Sequence, residues 1–338
     1  GEILISNHTY DQFYISFRGC GTYNLSGGLL HLKCALNDCY ATSASEARTT
    51  VFNQTGGTAW LEGGLNLNNT QANAANRTSA LRLDGGVMKV RNISAGYCVK
   101  RGYTGTTTMS ADGGTLKPTG GDYNAANQYF FGEFDVCTLG VKGLTVDTDG
   151  FNAYVKQDIA NLGAAAGVLR KSGAGTLTCE GALTASKLVI DGGTFVFADA
   201  ASAAAFTGDL VVTNGATVSF ANATADISLA SLVIDNGTVI LPNGRKLVVS
   251  GSTSVSGLTL RYATAVAEAS ELDFLSAAGE LDENTKWEIR HAVSSVTIPG
   301  GTHPLFVLVY DSGSGRTTAK FVCAVDAEPI GVADTTVW

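Results

Sequence analysis

The sequence predicts an all-β chain wound as a right-handed parallel β-helix, and three observations carry that prediction. A short motif recurs, its copies fall at nearly fixed steps, and apolar residues alternate within each copy. The copies are YNLSGGLLHL (23–32), FNQTGGTAWL (52–61), LRLDGGVMKV (81–90), MSADGGTLKP (109–118), LVIDGGTFVF (188–197), LVVTNGATVSF (210–220) and LVIDNGTVIL (232–241). The second turn residue is Gly28, Gly57, Gly86, Gly114, Gly193, Gly215 and Gly237, in steps of 29, 29 and 28, then a gap, then 22 and 22. Hairpins of a sandwich have no reason to keep such a step, whereas a period of roughly 20–30 residues marks a solenoid.

The side chains fit the same winding. Tyr23 and Leu25, Leu81 and Leu83, Leu188 and Ile190, and Leu232 and Ile234 alternate before the turn. After it come Leu30 and Leu32, Met88 and Val90, Phe195 and Phe197, and Val239 and Leu241. Such alternation sends one face of each strand inward. The copy at Asn214 slips by one, with Val218 and Phe220 inward, as an inserted residue would require. Gly-Gly and Asn-Gly supply positive φ at the bend. At ~4.8 Å per coil, about a dozen coils would make a solenoid roughly 55–65 Å long.

Composition agrees. Apolar residues make up 45% of the 338, enough for a large core, while charged residues are only 15% and Gly reaches 41. That mixture favours β structure with frequent tight turns. The net charge of −8 is diffuse and argues against nucleic acid, which needs clustered Lys and Arg. No apolar run is long enough to span a membrane as a helix. The chain begins at Gly1 without a signal peptide, as a processed chain or a fragment would. Cys20, Cys34, Cys39, Cys98, Cys137, Cys179 and Cys323 show no C-x-x-C spacing. They read as buried small apolar residues or, in part, as disulfides.

The stretches LTVDTDGFNAYV (144–155), GVLRKSGAGTLTCEG (167–181) and KLVIDGGTFVF (187–197) resemble the autotransporter-associated β-strand repeat, with KSGAGTLT (171–178) the most specific match. Gly167-Val168 stands where the family usually has Gly-Gly. The resemblance covers about 55 residues well and implies a secreted or surface-exposed bacterial β-helix passenger. The membrane barrel that such passengers precede is not visible in the sequence.

Three segments follow. Residues 1–22 hold two alternating strands that would cap the coil or serve assembly, 23–261 form the solenoid, and 262–338 form a helical segment plus a terminal β cap. Within the last, YATAVAEASELDFLSAAGEL (262–281) has helix-compatible spacing. DAASAAAF (199–206) suggests one short helical turn. An uncovered solenoid end exposes strand edges and invites a second copy to stack head to tail.

Candidate chemistry is sparse. Asp84, Asp112, Asp191 and Asp235 recur before the turn and suit either a Ca²⁺ ladder or turn capping. Ser26, Thr55 and Thr213 take the same place, which favours capping. Asp147, Asp149 and Asn152 have the close oxygen spacing of a cation loop, without the distal Glu of an EF-hand. His8, His31, His291 and His303 read as scattered surface residues. Sequons start at Asn7, Asn24, Asn53, Asn68, Asn76, Asn92, Asn222 and Asn236 and would be glycan acceptors only in a host with that machinery.

The leading expectation is therefore a non-catalytic extracellular solenoid, a fibre subunit or adhesin-like spacer with itself and cell-surface glycans as partners and no cofactor. An alternative is a polysaccharide lyase or glycoside hydrolase using Glu133, Asp135, Lys142 and Arg170. A third is a carbohydrate-binding module presenting Tyr103, Tyr123, Tyr129 and Phe130 as an aromatic row.

Overall fold

The computed structural model describes residues 1–5, 12–17, 19–40, 48–67, 77–94, 105–120, 129–264, 271–279, 288–291, 303–324 and 336–337. The chain divides into two compact units, 1–186 and 187–338, at a boundary inside the segment read as one solenoid.

The first unit is a parallel β-helix with three-sided coils. One face stacks Gly21–Leu25, Arg48–Leu61, Arg77–Val90, Thr106–Ala111 and Val136–Leu139 in parallel register. The long strands Arg48–Leu61 and Arg77–Val90 continue through their Gly-Gly corners onto the second face. There they join Glu2–Ile5, Leu29–Leu32, Gly114–Pro118, Leu144–Asp147 and Val168–Ser172. The third face stacks Gln12–Phe17, Ala35–Tyr40, Leu65–Asn66, Ile93–Ser94, Phe131–Gly132, Ala153–Lys156 and Thr176–Cys179. The first two strands thus enter the same parallel stack.

Leu30, Leu32, Leu81, Leu83, Met88 and Val90 are sealed in the interior, as the alternation requires. Tyr23 stays half-buried, its ring 5.4 Å from that of Phe52 and 15° from parallel. Identical steps also align polar side chains. Asn53 Nδ2 donates to Asn24 Oδ1 at 3.1 Å, and Asn66 Nδ2 donates to Asn37 Oδ1 at 3.0 Å, both across 29 residues.

Five of the seven corner glycines have positive φ, from 61° at Gly193 to 75° at Gly28. At Gly114 and Gly237 the residue before carries it instead, Gly113 at 131° and Asn236 at 54°. Glycine is needed there for close approach. A Cβ on Gly114 would lie 2.8 Å from Leu83 Cβ, and one on Gly237 would lie 2.8 Å from Val212 Cγ1.

The second unit winds on the shorter step. Lys187–Ile190, Asp209–Thr213, Ser231–Leu241 and Thr253–Tyr262 pair in parallel, and Thr194–Phe197 continues through Thr217–Ser219 into Ser231–Leu241. Val218 and Phe220 are both buried, consistent with the one-residue slip. A separate sheet stacks Ile227–Leu229, Leu247–Val249 and Glu271–Ala278 in parallel, then adds Arg316–Ala324 and His303–Asp311 antiparallel.

The helix expected over 262–281 is therefore corrected among the described residues. Glu271–Ala278 is a strand with hydrogen-bonded neighbours on both sides, and Phe274, Leu275 and Ala277 are buried by them. Two paired edges outweigh the helix propensity of Ala, Glu and Leu. Residues 265–270 and 280–281 lie outside the described residues.

Among the described residues a helix forms at Ala200–Ala205, within the stretch where a short turn was expected. Asp199 caps it, accepting from the Ser202 backbone N–H at 2.7 Å, while the Ser202 hydroxyl accepts from the Asp199 N–H at 3.1 Å. The bond from the Ser202 backbone N–H, helped by the Ser202 side chain, holds the Asp199 carboxyl below its usual pKa. The cap is fully present above the ordinary aspartate pKa and is lost as pH falls through the lowered one. Asp199→Ala should cost about 1 kcal/mol at neutral pH. Chemical denaturation at pH 7 and pH 2.5 checks this, because the difference from wild type should shrink at the lower pH.

Candidate functional site

Side chains on the outside of the second face line up along the axis of the first unit. His31, Trp60, Lys89 and Lys117 are successive register partners, each three residues after its corner glycine. The neighbouring corner positions are Lys33, Glu62, Arg91 and Thr119, each donating its N–H to the coil before. The side chains of Trp60, Glu62, Lys89, Arg91, Lys117 and Thr119, with Pro118, Gly120, Asp149 and Phe151, bound an open groove of about 680 Å³ that crosses four coils.

The groove has an ordered wall. The His31 imidazole stacks on the Trp60 indole with centroids 4.1 Å apart and planes 7° from parallel. His31 Nε2 lies 2.7 Å from Glu62 Oε1. Lys89 Nζ sits 5.6 Å from the Trp60 ring centroid, a cation–π contact. Lys117 Nζ reaches Asp147 Oδ2 at 2.9 Å and Asp149 Oδ2 at 3.3 Å. The hydrogen bond to Asp147 is the main reason the Lys117 ammonium is held above its ordinary pKa, against a smaller opposing effect of burial. That contribution to stability is complete below the ordinary lysine pKa and is lost as pH rises through the raised one.

Asp147 and Asp149 are thus brought together, but around a lysine. Asp147 Oδ1 also accepts from the Asp149 N–H at 3.0 Å, while Asn152 Oδ1 accepts from Thr176 N–H on the next coil at 3.2 Å. Among the described residues no three His, Cys, Asp or Glu side chains are grouped to hold a metal. Asp112 departs from capping its own turn, because its Oδ1 accepts from Lys142 N–H on the following coil at 2.7 Å. His31, read as a surface residue, is half-buried, packed on the Trp60 ring and in contact with Glu62.

The four residues considered for an acid–base site each have separate work. The Tyr129 hydroxyl donates to the Glu133 carboxylate. Asp135 Oδ2 accepts from Thr107 N–H at 2.6 Å and from its hydroxyl at 3.1 Å. Lys142 lies along the corner over Gly113, and Arg170 stands opposite Thr145 in the sheet. The aromatic row is also corrected. Tyr129 and Phe130 are buried, because Phe130 N–H and C=O bond to neighbouring coils and fix its ring in the core. Tyr103 and Tyr123 lie outside the described residues.

Several sequon asparagines serve the coils. Asn24 and Asn53 form the ladder above, Asn92 packs over Gly64, Asn222 Nδ2 donates to Ala198 C=O at 2.9 Å, and Asn236 makes a positive-φ corner. Asn7, Asn68 and Asn76 lie outside the described residues. Among the cysteines, Cys34, Cys137 and Cys179 are buried and Cys20 is exposed. Burial pushes the Cys137 thiol up to about 12. A maleimide at pH 7.5 should therefore label Cys20 in the native protein and reach Cys137 only after unfolding. Peptide mapping with and without denaturant checks this.

Sequence reasoning missed the groove, although its signal was present. Charged and aromatic residues occupy the outward positions three and five residues past Gly57 and Gly86, while the inward ones are apolar. It also missed two interior features. Lys171 is fully buried, with Nζ donating to Ser172 and Gly173 C=O, each at 2.8 Å. Asp38 is buried and accepts from the Thr50 and Ser79 hydroxyls, which belong to the next two coils.

The fold and the groove define a class, a parallel β-solenoid with a charged lateral groove. Compared with models of known protein families and with curated proteins, the chain matches none.

Proposed function

We propose that this chain is an extracellular structural β-solenoid, a fibre subunit or adhesin-like spacer that stacks end to end. The observation that carries the reading is how its polar groups are used. Turn and ladder residues such as Asp112, Asn152, Asp158 and Asn53 each bond the adjoining coil, at 2.7–3.2 Å. This polar material stiffens a stack whose interior is mainly apolar packing, which is what a passive scaffold requires. The resemblance of residues 144–197 to autotransporter passenger repeats supports export to the cell surface.

Self-assembly has its own support. Among the described residues, Glu2–Ile5 pairs with Leu29–Leu32 and Gln12–Phe17 pairs with Ala35–Tyr40, each along one edge. Ile3 and Leu4 are 50% and 56% exposed. An open parallel edge flanked by exposed apolar side chains is a template for another strand. Sedimentation velocity and negative-stain microscopy across a concentration series test this. Growing end-to-end species are expected, and Ile3→Asp/Leu4→Asp should hold the folded chain as a monomer. A wild-type chain that stays monodisperse, or polymers indifferent to those substitutions, would overturn the proposal.

A further inference from the structure

We infer that the lateral groove of the first unit binds an acidic polysaccharide, a glycan chain carrying uronate carboxylates. The inference goes beyond the scaffold reading and stands on different residues.

The first support is charge placement. The protein is acidic overall, at −8, yet Lys89, Arg91 and Lys117 line one groove on two consecutive coils. Lys89 and Lys117 are direct register partners on the same face, and stacked like charges are unfavourable unless an anion joins them. Asp147 and Asp149 supply that anion to Lys117. Lys89 instead lies over the Trp60 ring, a weaker partner than a carboxylate. A carboxylate entering the groove beside Lys89 would complete the column.

The second support is shape. The lining residues come from four coils, Trp60 and Glu62, Lys89 and Arg91, Lys117 to Gly120, and Asp149 with Phe151. Three steps of ~4.8 Å give an open channel about 14 Å long, suited to a short run of a linear polymer rather than to a compact metabolite.

The third support is the mixture of signs, which separates glycans from other polyanions. Glu62 and Asp149 flank the cations. They accept hydrogen bonds from hydroxyls, which every uronate ring offers beside its carboxylate and the phosphodiester backbone of DNA lacks. A uronate polymer offers both hydroxyls and carboxylates. Neutral glycans usually rely on stacking against a bare aromatic face. Here His31 stacks on the Trp60 ring and Lys89 lies over it, so charge, not stacking, supplies recognition.

The test is titration calorimetry of the full chain with an oligogalacturonate, a neutral glucan oligosaccharide of equal length and a single-stranded oligonucleotide. The oligogalacturonate should bind, weaken with added salt, and exceed the other two by at least tenfold. Lys89→Gln/Arg91→Gln should reduce that binding at least tenfold with an unchanged circular dichroism spectrum. Arg245→Gln, an exposed cation of the second unit, should leave it unaltered. If the double variant misfolds, Lys89→Gln alone, which removes a groove-lining charge from an outward position, is read instead and should weaken binding at least threefold. Absence of oligogalacturonate binding, equal binding of the neutral glucan, stronger binding of the oligonucleotide, or full binding by the folded variants would each overturn the inference. None of these outcomes depends on whether the chain polymerises.

Discussion

Gly175→Ala is expected to destabilise the first unit by more than ~3 kcal/mol, beyond the usual cost of an overpacked core site. The cause is backbone proximity rather than a special dihedral. A Cβ on Gly175 would sit 1.8 Å from the Phe151 carbonyl oxygen and 2.5 Å from its carbon, on the coil before. Neither atom is the tip of a flexible side chain, so the two coils would have to part. Their separation would strain the Thr176 N–H bond to Asn152 and the parallel pairing of Ala153–Lys156 with Thr176–Cys179. Gly175 also closes the turn in which Lys171 Nζ holds two carbonyls, so a buried ammonium would lose its partners as the turn shifted. Urea denaturation followed by circular dichroism measures the effect. A Gly175→Ala protein within about 1 kcal/mol of wild type would mean that these coils are not packed as described.

Phe197→Ala should be the most damaging truncation in the second unit, at about 3–5 kcal/mol. Phe197 is wholly buried and is the hub of an aromatic cluster. Its ring stacks on Phe220 of the next coil at 4.8 Å and 16°, meets Phe195 edge-on at 5.0 Å, and lies 6.0 Å from Phe206 after the short helix. Removing it leaves a cavity and takes away the contact that seats Phe206. Phe197→Leu, which refills most of the volume, should cost less than half as much. A loss below 1 kcal/mol for the alanine variant, measured by thermal and urea unfolding, would contradict the packing.

These effects show which parts of the molecule were legible in the sequence. The coil step and the inward positions were, because apolar alternation around Gly-Gly is a local pattern that burial enforces at each copy. Leu81, Leu83, Met88 and Val90 all lie inside as their spacing requires. Glu271–Ala278 was not, because Ala, Glu and Leu favour a helix until two neighbouring strands claim the backbone. Lys171 was not, because a charged residue on an apolar strand reads as outward. Its carbonyl partners, Ser172 and Gly173, become partners only once the turn is closed. The groove lay between these cases. Trp60, Lys89 and Lys117 are far apart in the chain, and only the knowledge that positions one coil apart are neighbours makes them a column.

That adjacency underlies both the stiffness attributed to the scaffold and the cations gathered in the groove, and engineered cysteines test it most directly. Asn24 and Asn53 are register partners whose strands run side by side, a spacing that a disulfide can bridge. In a Cys20→Ser background, Asn24→Cys/Asn53→Cys should oxidise readily to an intramolecular disulfide, found by peptide mapping under non-reducing conditions. Asn24→Cys/Thr55→Cys, displaced by two residues, should remain reduced. Failure of the first pair together with closure of the second would show that residues 29 apart are not stacked, and the winding on which the account rests would be wrong.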